Sequence, residues 1–110
     1  MCFIRYASTN DITSKRGKMP MIEAKASPHV VFSDIKKYLS EHGYEDIIAR
    51  EDYFDIFSKL KNFEISFNIV LNEGKSLISI SVYSEKRRLN TKSTLNKIYQ
   101  DIEKLLERYR

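Results

Sequence analysis

The chain has 110 residues, 42% of them hydrophobic and 31% charged, with a formal net charge of +4 and one cysteine, Cys2. That describes a single domain large enough to close a core without staples, and no run approaches the roughly 20 apolar residues of a membrane span. One cysteine excludes an intramolecular disulfide; with no secretory apolar run at the N-terminus, a reducing cytoplasm is the expected compartment.

Residues 1–18 hold four basic residues (Arg5, Lys15, Arg16, Lys18) and one acid, Asp11, so 15 basic and 14 acidic residues remain for 19–110. The basic excess belongs mostly to the tail, which weakens the folded body as a general nucleic-acid binder. Polar and without sustained periodicity, residues 1–18 read as a disordered extension before a single domain at 19–110, with Met19 and Met21 as alternative starts. Docking of Phe3, Ile4 and Tyr6 on the domain is the alternative. Met21 to Lys25 is a short candidate strand.

The first helix is well marked. Ser27 is placed to cap it, Pro28 suits its first position, and Gly43 suits the left-handed residue that ends it. Val31, Ile35, Tyr38, Leu39 and His42 follow helical spacing, with Phe32 beside them, so one stripe is buried. Two strands follow, Glu45 to Arg50 and Tyr53 to Leu60, with Ile47, Ala49, Phe54, Ile56 and Leu60 on one face.

Phe63 to Ser84 is a long hairpin in plain alternation. Phe63, Ile65, Phe67, Ile69 and Leu71 share one face with Ile78, Ile80 and Val82. A symmetric turn at Glu73-Gly74 pairs Ile69 with Ile78, Phe67 with Ile80 and Ile65 with Val82. A two-residue turn at Lys61-Asn62 sets Leu60 opposite Phe63, Ile56 opposite Phe67, Phe54 opposite Ile69 and Lys59 opposite Glu64. From Asn90 or Thr91 a helix of about 18 residues, roughly 27 Å long, runs to the end. Its apolar stripe is Leu95, Ile98, Tyr99, Ile102, Leu105, Leu106 and Tyr109.

The predicted fold is therefore α+β. Two helices cover one face of an antiparallel sheet of four to five strands, in the order β-α-β-β-β-β-α. That order over residues 21–110 resembles one half of the TATA-box-binding-protein fold. The size and the Lys/Ile/Asn-rich style are also similar to a small archaeal family with that fold. The resemblance implies a fold and no activity. A DNA saddle of that type uses two such units and apolar wedges, so one copy would have to dimerise. Arg50 and Lys59 would then meet phosphate, while Asp55 and Glu64 would repel it.

Any function carried by the sheet must lie on the face away from the helices. It carries Ser66, Asn68, Ser79 and Ser81, flanked by Tyr53, Phe57, Val70, Leu77 and Tyr83. A solvated face seldom carries Phe57, Val70 and Leu77 together, so this pattern points to contact with a protein partner or a second copy. The alternative is plain solvent surface. A second candidate is an anion site formed by Lys86, Arg87, Arg88 and Lys92 at the start of the last helix, with hydroxyls from Thr91, Ser93 and Thr94. It would make the chain nucleic-acid-associated, helped by the basic tail; a solvated Lys-rich connection is the plainer reading. Acidic residues Glu41, Glu45, Asp46, Glu51, Asp52 and Asp55 gather around the end of the first helix and form either a steering patch or an ordinary hydrophilic rim. Small-ligand binding between sheet and helices is a weaker option.

Nothing points to catalysis. His29 and His42 stand about 20 Å apart along one helix and cannot share a metal. Cys2 has no fixed base, and Gly17, Gly43 and Gly74 are isolated rather than a phosphate loop. No enzyme activity, cofactor or metal is expected, and no membrane partner.

Overall fold

A computed structural model describes residues 5–9, 19–84 and 91–110, and gives the strands β1 (Arg5–Ser8), β2 (Ile22–Ala24), β3 (Glu45–Arg50), β4 (Asp55–Leu60), β5 (Phe63–Asn72) and β6 (Lys75–Ser84). The helices are α1 (Pro28–Glu41) and α2 (Thr91–Leu105), with 3-10 turns at Glu51–Tyr53 and Glu107–Tyr109. From β2 onward the order is the predicted one, with antiparallel neighbours β6-β5-β4-β3 and β2 on the free side of β6.

The hairpin register follows from its alternation. Ile69 faces Ile78, Phe67 faces Ile80 and Ile65 faces Val82. Across the next ladder Ile56 faces Phe67, Lys59 faces Glu64 and Leu60 faces Phe63. Glu73 and Gly74 both take positive φ, +52° and +79°, as a two-residue hairpin turn of type I′ requires. Asn visits the left-handed region at less cost than Glu, so Glu73→Asn should stabilise by roughly 0.5 kcal/mol, read as a higher urea midpoint. A lowered midpoint would contradict that assignment of the turn.

In α1, Ser27 caps the helix by accepting from the Val30 amide at 3.4 Å, and Gly43 beyond the end has φ +80°. The buried stripe is Val31, Phe32, Ile35 and Leu39; that of α2 is Leu95, Ile98, Tyr99 and Ile102. These meet Ile56, Ile65, Phe67, Ile78, Ile80 and Val82, so both helices lie on one face of the sheet. His42 ends α1, its Nδ1 2.8 Å from the Tyr38 carbonyl and its ring stacked on Tyr38 at 3.9 Å.

Three expectations need correction. Within the segment expected to be disordered, Arg5–Ser8 is a strand paired with β6, which brings the sheet to six strands; residues 1–4 and 10–18 lie outside the described residues. The strand expected from Tyr53 begins at Asp55, because Glu51–Tyr53 closes a 3-10 turn and Phe54 takes φ +51°. Helix α2 stops at Leu105, and the tighter turn after it carries Arg108 and Tyr109 onto Asp34 of α1.

Strands β1 and β2 lie along the same edge of β6, in the same direction. Ser8 faces Ser81 and Ile22 faces Ile78, so the chain advances from 8 to 22 while β6 recedes only from 81 to 78. The two behave as one edge strand in two pieces.

Candidate functional site

The ladders arrange the outer face in cross-strand rows. One runs Ser8–Ser81–Ser66–Phe57–Ile48, from the β1 edge to the β3 edge. The next runs Ser79–Asn68–Asp55–Arg50, and on the far side lies Tyr83–Glu64–Lys59–Glu45. Glu23, Leu77 and Val70 form a fourth row at the hairpin's turn end. Short side chains thus floor the middle: Ser8 Oγ and Ser81 Oγ are 3.0 Å apart, and Ser79 Oγ donates to the Asn68 carbonyl at 3.5 Å. The bulky residues stand at the margins.

The β3 margin is the most developed. Arg50 donates from Nε to Asp55 Oδ1 at 2.9 Å and from Nη2 to Asp55 Oδ2 at 2.7 Å. Its guanidinium carbon lies 4.9 Å from the Tyr53 ring centre and 5.1 Å from that of Phe57. This side-on pair with two aromatic contacts holds the arginine in one place, and the Asp55 bonds push its pKa above the usual range. Around it the apolar surface stays open: Ile48 is 59% exposed, Tyr53 66% and Phe57 39%. A concavity of about 580 Å³ opens beside them, lined in part by Ile48, Phe57, Lys59, Glu64, Ser66 and Tyr83.

The other expected contact residues divide. Val70 is half exposed, whereas Leu77 is 6% exposed yet stands outside the core cluster, so it is not an available anchor. Leu77 sits in a row between Val70 and Glu23, and β2 on that edge of β6 is the neighbour its own alternation did not reveal. Ser66, Asn68, Ser79, Ser81 and Tyr83 are partly buried.

The sequence reading also missed Ile48 and the engagement of Arg50. Neither cation of the face that was expected to meet phosphate is unpartnered: Arg50 is held by Asp55, and Lys59 Nζ lies 3.8 Å from Asp46. Lys75 at the turn end is bonded to Glu23 at 2.9 Å. The acidic group is partly matched in the same way, with Glu51 3.4 Å from His29 Nδ1 as well as Asp46 and Asp55 paired. Of the anion candidate, Lys86, Arg87 and Arg88 lie outside the described residues, Lys92 is exposed, and Thr91 is buried rather than open to an anion. Among the described residues no three His, Cys, Asp or Glu gather to hold a metal, and no helix is long and apolar enough to cross a membrane.

No family model and no curated protein matches the sequence. The fold is similar to the crystal structure of Ara h 8.0201, with a TM-score of 0.58, 10% identity and 97% of each chain covered. At that identity the likeness is one of fold alone.

Proposed function

We propose that the chain is a non-enzymatic binding module that contacts a protein partner through the outer face of its sheet. The observation carrying this reading is the open apolar margin of Ile48, Phe57 and Tyr53 around a fixed Arg50. Aromatic and arginine anchors held in place before contact lose little entropy on binding. On this face Arg50, Lys59 and, at the turn end, Lys75 are matched by Asp55, Asp46 and Glu23. A phosphate backbone is drawn to unmatched cations, so the nucleic-acid alternative falls back on Lys92, the segment 86–88 and the tail. The small-ligand alternative, expected between sheet and helices, has a concavity of about 430 Å³ there beside Ile22, Tyr99 and Leu106, and one of about 580 Å³ by Phe57 and Tyr83 on the outer face, both within the size range of ligand sites. The likenesses to a TATA-binding half in element order and to Ara h 8.0201 bear on architecture and grant neither activity.

A photo-reactive phenylalanine analogue at position 57 should give discrete protein adducts in the cell. The same probe at Ser33, exposed on α1, should not. Equal adducts at both positions, or none at 57, would overturn the reading.

A further inference from the structure

We infer that β3 is an edge through which two copies of this chain pair, antiparallel about a two-fold axis at Ile48. This rests on the contact reading above and gives the partner an identity, a second copy of the chain.

Which backbone groups of β3 face outward follows from the ladders. The Ile69 amide donates to the Phe54 carbonyl at 2.9 Å, so Phe54, Ile56, Ser58 and Leu60 direct their backbone groups at β5. The alternate residues Asp55 and Phe57 then direct theirs at β3, where they face Arg50 and Ile48. Ala49, between those two, turns its N–H and C=O away from β4, and so does the Ile47 carbonyl, which lies opposite the inward Ile48 N–H across one trans peptide plane. Among the described residues β3 pairs only with β4.

A two-fold antiparallel pair must keep every side chain on its own face, which allows only registers centred on a residue. Centring on Ile48 sets Ile48 against its own copy on the outer face. Ile47 then meets Ala49, which brings together the outward backbone groups of both strands. Asp46, in the bulge just before the regular stretch and 3.8 Å from Lys59 Nζ, is then the acid on the side of Arg50, whose Nη1 takes no part in the bonds to Asp55. Centring on Ala49 would instead face Arg50 with Ile48, and centring on Ile47 would face Asp46 with Ile48. Charge complementarity selects the Ile48 register, because the strand is acidic at one end and basic at the other.

Bulges and charges usually protect an edge, and β3 has both. Its bulge lies between Glu45 and Ile48, with Asp46 at φ +50°, which leaves Ile48 to Arg50 in regular register. Glu45 would fall opposite Glu51, where the chain has already left the strand and His29 lies 3.4 Å from the carboxylate. So short an interface is small beside the standard ~1,600 Å², and the expected dissociation constant is on the order of 100 µM.

Sedimentation velocity of the full chain from about 5 µM to about 1 mM tests it. The wild type should pass from monomer to dimer. Ile48→Lys and Asp46→Arg, both at exposed side chains, should each raise the dissociation constant about ten-fold or more, since like charges then face each other. Ala49→Pro should abolish the dimer, because its lost N–H points away from β4. If that variant does not fold, the other two decide. Val70→Lys, away from β3, should leave the dimer intact. A wild type still monomeric at the highest concentration overturns the inference and leaves the outer face to a different protein. A dimer that survives the β3 substitutions but yields to Val70→Lys also overturns it, and keeps the contact reading with the copies face to face.

Discussion

Phe67→Ala should cost about 3–5 kcal/mol, a large part of the roughly 5–15 kcal/mol that holds a domain of this size together. Phe67 is fully buried on β5, flanked across the ladders by Ile56 and Ile80, both also at 0% exposure. The three belong to a cluster that includes residues of both helices. Truncation therefore removes the transfer energy of the ring and leaves a cavity in the centre of the sheet, where hydrogen-bonded neighbours on both sides limit collapse. Urea unfolding followed by circular dichroism measures it. Val70→Ala on the same strand, at 50% exposure, should stay within about 0.5 kcal/mol. If the two variants lost similar stability, Phe67 would not be the keystone that its position makes it.

Asp34→Ala should cost about 2 kcal/mol. Asp34 Oδ2 accepts from the Tyr109 hydroxyl at 2.5 Å and from Arg108 Nη2 at 2.7 Å, and the Tyr109 carbonyl accepts from the Lys25 amide. One carboxylate thus ties the C-terminal turn to α1, and the same turn holds the chain just beyond β2. Most of the effect should come from the tyrosine, because the Arg108 side chain is 63% exposed and well screened. Burial alone would raise the Asp34 pKa, but the bonds from Tyr109 and Arg108 outweigh it and the net shift is downward from 3.8. A carboxylate held lower in the folded state than in the unfolded chain stabilises fully above the unfolded value. That stabilisation is lost as pH falls through the lower, folded value. The urea midpoint of the wild type should therefore drop in acid more steeply than that of Asp34→Asn, in a titration from about pH 7 to about pH 2. Parallel pH profiles would show that the carboxylate does not carry the clamp.

The reach of the sequence was uneven, for physical reasons. The register of β4, β5 and β6 was legible because alternation has a period of two, so a slip by one residue would turn every apolar side chain to water. Helix α1 was legible because Ser27, Pro28 and Gly43 each meet a different backbone requirement at its ends. Strand β1 was not, since an edge strand whose Ser8 meets Ser81 needs no apolar stripe to announce it. The clasp of Arg50 by Asp55 was hidden by its context. The two are cross-strand neighbours around the tight turn at Glu51–Tyr53, and the last residue of that turn, Tyr53, was read as the start of a strand. Leu77 looked exposed because only its pairing with Val70 was inferred; the pairing of Glu23 with it was not.

The double occupancy of one edge of β6 also dictates the order in which the fold is completed. A strand cannot pair before its partner exists, and β6 is the last strand to be made. During synthesis the first two strands therefore emerge early and are seated late, after β3 to β6 have had the chance to zip through short connections. Throughout that interval the start of the chain waits for a place at the edge of a sheet it reaches from some seventy residues away, as the contact between Ser8 and Ser81 (separation 73) records.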